Sequence, residues 1–512
     1  MQKIWAGILG LAAVLAIGAT PAAANKANDT LTIAVHDWWS TLDPYQFPLD
    51  EANVFYTIVY ETLIGYDERN HQIVPRLAKA WRQVDDKTVE FDLRDNVKFH
   101  NGDKFDADDV VGTIRYLIDP NVPLRFKNVY DWVDKVEKTG PYQVRITAKQ
   151  AQAGEMLNFA YRFYILDTKF LAKLDNKADY GRMGAIGTGR YKVVSLDQQK
   201  MVLAQFDDYY DKSGPYSAHI KNVVVRPLPD PQTQIAEFMT GNIDLIRNPS
   251  ADTARQLAQA PNTAVTPMHN GLLMYITLDA AGRSDSKVMK DPRVRKAFME
   301  AVDRKELAKT VIPGGEIAEL LDGICIPSNI GCVSSTKPPD FNPEDAKKLL
   351  ADAGYKDGFD LELDVHEPLA EIGQAVAGQL RKVGIRASVR PLPLTLYVRL
   401  RGEGKLTAFL GFYPTSAQPD MDNLLDFFFD GNRDYWGDDP VIRQAQKDGA
   451  VEFDAKKRDA IYEKAIDYIN QQSYILPVAD LPMVFVHSKE FAVKENRISP
   501  IQTVVTDFYW AQ

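Results

Sequence analysis

The chain has 512 residues, of which 45% are hydrophobic and 25% charged, and a formal net charge of -10. That acidic balance argues against nucleic acid or anionic membrane as a partner, and the length exceeds what one hydrophobic core organises, so two or three domains are expected. The seven histidines are scattered without metal-ligand spacing, so neither a resident metal nor another cofactor is expected.

In chain order, Lys3 precedes an apolar run from Ile4 to Ala19, and the small residues Ala22 to Ala24 offer a cleavage site: residues 1–24 read as a secretory signal. No cysteine lies just after it to carry a lipid, so the mature protein is expected to be soluble and periplasmic. Downstream, nothing reaches the roughly 18 apolar residues a membrane helix needs. LTIAV within Thr30–Val35 reads as a buried strand and Asn53 to Leu63 as a helix. In KTVEFDLRDNVKFHNGDKF, alternating Val89, Phe91 and Leu93 followed by Asn101-Gly102 predict a hairpin. DADDVVGTIRYL follows as a helix capped by Asp106, with Asp109 at its positive end. The nearby Asp cluster lacks the spacing of a calcium loop.

The second half changes rhythm. Asp291-Pro292 and Asn342-Pro343 each open a helix, Gly354 and Gly384 each close one, and DLELDV and IRASVRP read as strands between them. A β-α-β alternation of this kind predicts an α/β lobe on a partly parallel sheet. Cys325 and Cys332 flank IPSNIG, and an oxidising compartment favours their closing a small ring worth roughly 2–3 kcal/mol in the loop-entropy model, two free thiols being the alternative.

Enzyme motifs are weak. H-E-x-x-H, G-x-S-x-G and the P-loop are absent. SDSK from Ser284 and SSTK from Ser334 match S-x-x-K without its companion motifs, and GAIGTGRY precedes a strand-like segment where a phosphate cradle would open a helix. The chain is therefore not expected to be an enzyme.

The order of longer segments carries more. LDPYQ, YETLIGYD, PRLAKAWRQVDDKTVEFDLRDNVKFHNGDKFDADDV, IGTGRY, DDYYD, MTGNIDL, DPRVRKAF and AKKLLADAGY follow one another from about residue 42 to 355. Together they resemble the extracytoplasmic solute-binding proteins of the peptide, nickel and opine class (family 5), the receptors of ABC importers. The resemblance implies a periplasmic-binding-protein-like α/β fold, in which two lobes close on a ligand about a hinge, with an additional small domain. It implies domain I from 25–70, 190–280 and 486–512, domain II from 71–189 and domain III from 281–485. The partners it implies are a small-molecule or peptide solute and an inner-membrane permease, with the receptor itself a monomer.

In the dipeptide-binding relatives, the segment matching GFYPTSAQPD starts Gly-Trp and carries an Asp for the ligand's amino group, and a segment after the DLELDV-like strand carries an Arg for its carboxylate. Here Phe412 takes the Trp place, Thr415 the Asp place and Glu367, in DVHEPL beside His366, the Arg place. With both charge clamps replaced, ordinary dipeptides are expected to bind poorly, since removing one partner of a desolvated pair costs about 2–5 kcal/mol. The remaining candidate ligand residues are Tyr413 and Gln418 on the same segment, Trp38 and Trp39 after the first strand, Tyr435 and Trp436 in GNRDYWGDDP, and His269 and Asn270 before the strand LLMYITL. Strand alternation would put one of Trp38 and Trp39 in the core. A peptide or peptide-like solute is the first expectation, with opines, oligosaccharides and metal chelates as alternatives; a secreted hydrolase or a periplasmic chaperone is the reading from another class.

Overall fold

The computed structural model describes residues 26–36, 38–39, 41–46, 50–67, 70, 72–122, 124, 127–214, 217–414, 419–429, 439–493 and 508–511. The expected leader lies outside this set. Among the described residues, no helix is long and apolar enough to cross a membrane.

The local signals of the sequence act where they stand. Asp106 caps the helix Ala107–Ile118 as half of a capping box with Asp109, and Asp291 and Asn342 cap the helices that Pro292 and Pro343 begin. Gly354 and Gly384, at φ +92° and +97°, end their helices in the left-handed conformation that glycine adopts without steric cost. The expected hairpin differs. Strand Thr88–Leu93 pairs on one edge with Ala78–Asp85 and on the other with Gln143–Ala148. Both its edges are therefore filled, and the Asn101-Gly102 turn closes only a single antiparallel bridge, Lys98 to Lys104. The helix expected to reach Leu63 is Asp50–Val59.

Three sheets organise the molecule. A seven-stranded sheet runs in the order 263–268, 483–488, 245–247, 30–35, 222–227, 201–205, 191–196, with Thr30–Val35 parallel to both of its neighbours. A four-stranded antiparallel sheet holds residues 78–93 and 133–148. A five-stranded sheet runs 385–392, 359–366, 408–414, 272–278, 475–480, in which Phe359–His366 is parallel to both Ile385–Leu392 and Ala408–Pro414. Alternate residues of its strand Leu272–Leu278 feed two cores. Met274, Ile276 and Leu278 pack with the helices Pro292–Glu300, Pro343–Asp352 and Ala370–Arg381, whereas Leu273 and Tyr275 pack with Met421–Phe429 and Ala455–Gln472.

The five-stranded lobe joins the seven-stranded one through two short links, residues 269–271 and 481–482. Strand Leu272–Leu278 thus belongs to the five-stranded sheet, whereas a boundary at 280 assigns it to the first domain; strand Met483–Ser488 belongs to the seven-stranded sheet, whereas a boundary at 485 divides it. Two adjacent links form the arrangement about which lobes rotate with little repacking. Outside the links, the Ala153 amide donates to the Ala450 carbonyl at 2.8 Å and Ile330 packs against the core that holds the four-stranded sheet, so the lobes also touch there. A disulfide joins Cys325 and Cys332. Inside the loop it closes, Ile330 exchanges backbone hydrogen bonds with Pro419 and Met421.

Candidate functional site

In open α/β sheets, ligands bind beyond the carboxyl ends of the parallel strands, where connecting loops leave a crevice. On the five-stranded sheet those ends are His366 and the segment Phe412–Pro414. The antiparallel strand beside them places Leu272 opposite Pro414 and Leu273 opposite Tyr413, which brings the link 269–271 to the same edge. Topology therefore gathers His269, Asn270, His366, Glu367, Phe412 and Tyr413 at one end of this sheet, next to the other lobe.

Phe412 and Tyr413 leave that edge in opposite directions, as successive strand residues must. The Phe412 ring lies 5.1 Å from His366, whose own ring lies 5.7 Å from Tyr397 on the helix Leu394–Gly402. Tyr413 turns to the other face, packs on Phe427 at 4.2 Å and accepts a hydrogen bond from the Asn423 side-chain amide. The Arg401 guanidinium sits between the two groups, 5.3 Å from the Tyr397 ring centre and 5.1 Å from that of Phe427, in a residue only 9% exposed. Cations over ring faces are stabilised by roughly 0.5–2 kcal/mol, more as water is excluded. Burial lowers the His366 pKa, with Glu367 opposing and Arg401 acting with burial, which favours the neutral imidazole with its one donor and one acceptor. Glu367 is exposed and opens a single 3₁₀ turn.

The wall expected at GFYPTSAQPD is described only up to Pro414 and from Pro419 onward. Thr415, Gln418, Tyr435 and Trp436 lie outside the described residues. The exit of the segment is firmly anchored: Arg458 grips Asp420 with two hydrogen bonds of 2.7 and 2.9 Å, donates to the Gly449 carbonyl at 2.8 Å and reaches the Tyr462 hydroxyl at 3.1 Å. Both members of the pair are buried. Two residues on, the Asp422 carboxyl is pushed up to about 7, first by burial and then by Asp420, with Arg458 opposing. Asp422 is thus protonated in the folded state over a range in which the unfolded chain is ionised; the stability this contributes is complete below the ordinary carboxylate range and lost as pH rises through about 7. Asp422→Asn is accordingly expected to leave the melting temperature nearly unchanged at pH 4.5 and to raise it at pH 8, by an amount corresponding to roughly 1–3 kcal/mol; calorimetric scans at the two pH values check it.

On the opposite lobe, strand Thr30–Val35 ends just before the tryptophans. Trp39 is a correction to the candidate list: at 1% exposure it stacks on Trp38 at 5.0 Å and meets Phe55 at 5.5 Å, inside the core. Their rings lie side by side because the strand has ended, so alternation does not govern them. Trp38 is half-buried and donates its indole N–H to the Asp197 carbonyl at 3.0 Å. Arg401, Tyr397, Asp422 and Asp480 are site neighbours that the sequence did not reveal. The four-residue spacing of Tyr397 and Arg401 on a helix directly after RPLP was the one available signal.

Two α/β lobes on a double link, with parallel strand ends facing the gap, define a solute-capturing fold of the periplasmic-binding type. The sequence model of bacterial extracellular solute-binding proteins, family 5 (middle), matches residues 72–436, and the chain belongs to that family, whose members serve ABC importers as binding proteins. The glutathione-binding protein GsiB of Salmonella paratyphi A is 26% identical over 507 residues, covering 95% of this chain and 94% of that protein. Among solved structures, NikA of Brucella suis in complex with Fe(III)-EDTA superposes with a TM-score of 0.82 at 21% identity, covering 94% of this chain and all of that one. The ABC transporter-associated periplasmic binding protein DppA of Helicobacter pylori, in complex with the peptide STSA, gives 0.74 at 22% identity, covering 94% and 98%. At these identities the two structures speak to the fold alone.

Proposed function

We propose that this protein works in the periplasm as a monomeric receptor that captures a peptide or peptide-like solute between its lobes and presents it to a membrane permease. The observation that carries the reading is the gathering of His366, Phe412 and the link residues His269 and Asn270 at the carboxyl edge of the five-stranded sheet, facing the second lobe. The end-to-end similarity to glutathione-binding proteins supports a solute with peptide bonds. Rings and neutral hydrogen-bonding groups dominate the described wall, which suits a ligand held by stacking and amide contacts. A metal chelate is the second reading, favoured by the neutral imidazole of His366 at the same edge. The proposed moving bodies are the five-stranded lobe and the rest of the chain, divided at the two links in place of the boundaries at 280 and 485 expected from the sequence.

Mass spectrometry of solute released from the purified exported protein, paired with a thermal-shift screen of glutathione, dipeptides, tripeptides, opines and Fe(III)-EDTA, tests it. Binding a peptide at a hundred times its Kd raises stability by about 2.7 kcal/mol, readily seen as a melting shift. Stabilisation by a peptide-like solute is the expected result. Stabilisation by the chelate alone selects the second reading, and turnover of any of these compounds overturns both.

A further inference from the structure

A rotation about the two links has to break or slide every other contact between the lobes, so those contacts set how easily the receptor opens. The five-stranded lobe packs around its own two cores, and the seven- and four-stranded sheets share another. Ile330 crosses that division. Its backbone is fixed to the five-stranded lobe, where its N–H donates to the Pro419 carbonyl at 2.8 Å and its carbonyl accepts the Met421 N–H at 3.0 Å. Its half-buried side chain packs with the core of the other lobe. The segment that carries it is braced from within. Cys325 is buried in a core of the five-stranded lobe, and the disulfide returns the chain to that core at Cys332. Between them, the Asn329 N–H donates to the Ile326 carbonyl at 2.9 Å, and the Asn329 side-chain oxygen accepts the Ile326 N–H at 3.1 Å.

The chains of the two lobes also meet directly beside this peg. Asp420, which pairs with Ile330 in a parallel bridge, comes so near the other lobe that a side-chain carbon placed on Gly154 would stand 3.8 Å from its Oδ2. One residue earlier, the Ala153 N–H donates to the Ala450 carbonyl at 2.8 Å. Arg458 holds both Asp420 and the Gly449 carbonyl, and so fixes the five-stranded lobe's half of the seam. Two polar atoms one residue from these contacts, Gln152 Oε1 and Asn329 Nδ2, are enclosed without a hydrogen-bond partner among the described residues. Their lost hydration is set against what the Ala153 hydrogen bond and the Ile330 side chain contribute. A seam balanced in this way can be shifted by a solute, as a permanent interface could not.

We propose that the disulfide loop is a closing latch: Ile330, pinned by the Cys325–Cys332 bond, engages the other lobe and holds the seam between Ala153 and Ala450 together before any solute arrives. The bond thereby acts on the conformation of the receptor as well as on its stability. By raising the closed fraction of the empty receptor, the latch tightens the apparent affinity for whichever solute binds the closed form. The inference rests on the two-lobed receptor reading above and on no particular solute.

Hydrogen exchange of the protein dialysed free of solute tests it. The Ala153 amide reports the seam, and the amides of strand Phe359–His366, paired on both edges, report whether the five-stranded lobe stays folded. In the oxidised wild type, Ala153 is expected to exchange at least about tenfold more slowly than an unprotected amide. Ile330→Ala, and the double variant Cys325→Ala with Cys332→Ala, are each expected to speed that exchange roughly threefold to tenfold while the strand amides keep their rates. Both substitutions lie on the lobe that does not carry the reporting amide, so the effect has to cross the seam. An unprotected Ala153 amide in the wild type overturns the latch, as does an unchanged rate in either variant. Faster exchange throughout strand Phe359–His366 also overturns it, by assigning the loop to the stability of its own lobe. The measurement needs no solute, so failure of the latch leaves the receptor reading standing.

Discussion

Replacing Arg458 by methionine is expected to destabilise the five-stranded lobe by about 3–5 kcal/mol, the cost of leaving one member of a buried ion pair alone. For a lobe of this size that corresponds to a fall in melting temperature of roughly 6–20 °C. The reason lies in the fourfold role of the guanidinium. It neutralises Asp420 through two short hydrogen bonds, caps the Gly449 carbonyl, contacts the Tyr462 hydroxyl and stacks over that ring at 5.0 Å. Without it, Asp420 and Asp422 remain two residues apart with no cation between them. The double variant Arg458→Met with Asp420→Asn is expected to recover more than half of the loss, because it removes the stranded charge; a double variant no better than the single one shows that packing, not charge, was lost. The ligand site should feel the change as well. Asp420 and its neighbours tie the exit of the segment that begins at Tyr413 to Ile330 inside the disulfide loop. Solute affinity is thus expected to fall in Arg458→Met even at temperatures where the lobe remains folded, and titration of a bound solute at low temperature measures it.

How much of this was legible in the sequence follows from how far each interaction reaches along the chain. Caps are local. Asp106, Asp291 and Asn342 act on amides two or three residues away, so they could be read directly, as could the strands whose alternation meets one buried face. The Asn-Gly turn misled because turn chemistry says nothing about which edges of a strand are already taken. The helix Leu394–Gly402 misled more deeply: its Leu394 and Val398 are 56% and 45% exposed, while Arg401 is 9% exposed and Tyr397 3%. Leu394 and Val398 face outward there while the Arg401 cation faces inward beside the partly buried Leu396 and Leu400, a mixture that hydrophobic periodicity does not anticipate. A side chain that stands between aromatic rings from two helices acquires its environment from tertiary packing, and no window of sequence contains it. The link residues were legible as candidates from the family's pattern, whereas their grouping with Asp480, more than 200 residues away, was not.

The second large effect is expected at the junction of the seven- and four-stranded sheets. Glu61 is buried, and its carboxylate accepts from the Tyr209 hydroxyl at 2.9 Å, the Tyr210 hydroxyl at 3.0 Å and the Thr188 hydroxyl at 3.0 Å, with Arg76 as the nearby cation. One side chain thereby joins YETL to IGTGRY and DDYYD, both more than a hundred residues away from it along the chain. Glu61→Ala leaves four polar groups without their shared acceptor and is expected to cost about 3–5 kcal/mol, on the scale of Arg458→Met. Glu61→Gln separates the contributions. Its carbonyl oxygen can still accept from both tyrosines, and its amide can donate to the threonine oxygen, so it retains the hydrogen bonds and removes only the ability to ionise; it is expected to cost less than half as much. Its pH dependence gives a second check. Burial holds the Glu61 carboxyl above the ordinary carboxylate range, with Arg76 and the three hydroxyls opposing. A raised folded-state pKa contributes stability that is complete below about pH 4.5 and is lost as pH rises through the folded value. The wild-type protein should therefore lose stability relative to Glu61→Gln as pH rises from 4.5 through the folded value, since the glutamine cannot ionise. Denaturation of both proteins across that range measures the difference, and parallel curves would show that Glu61 does not change its ionisation on folding.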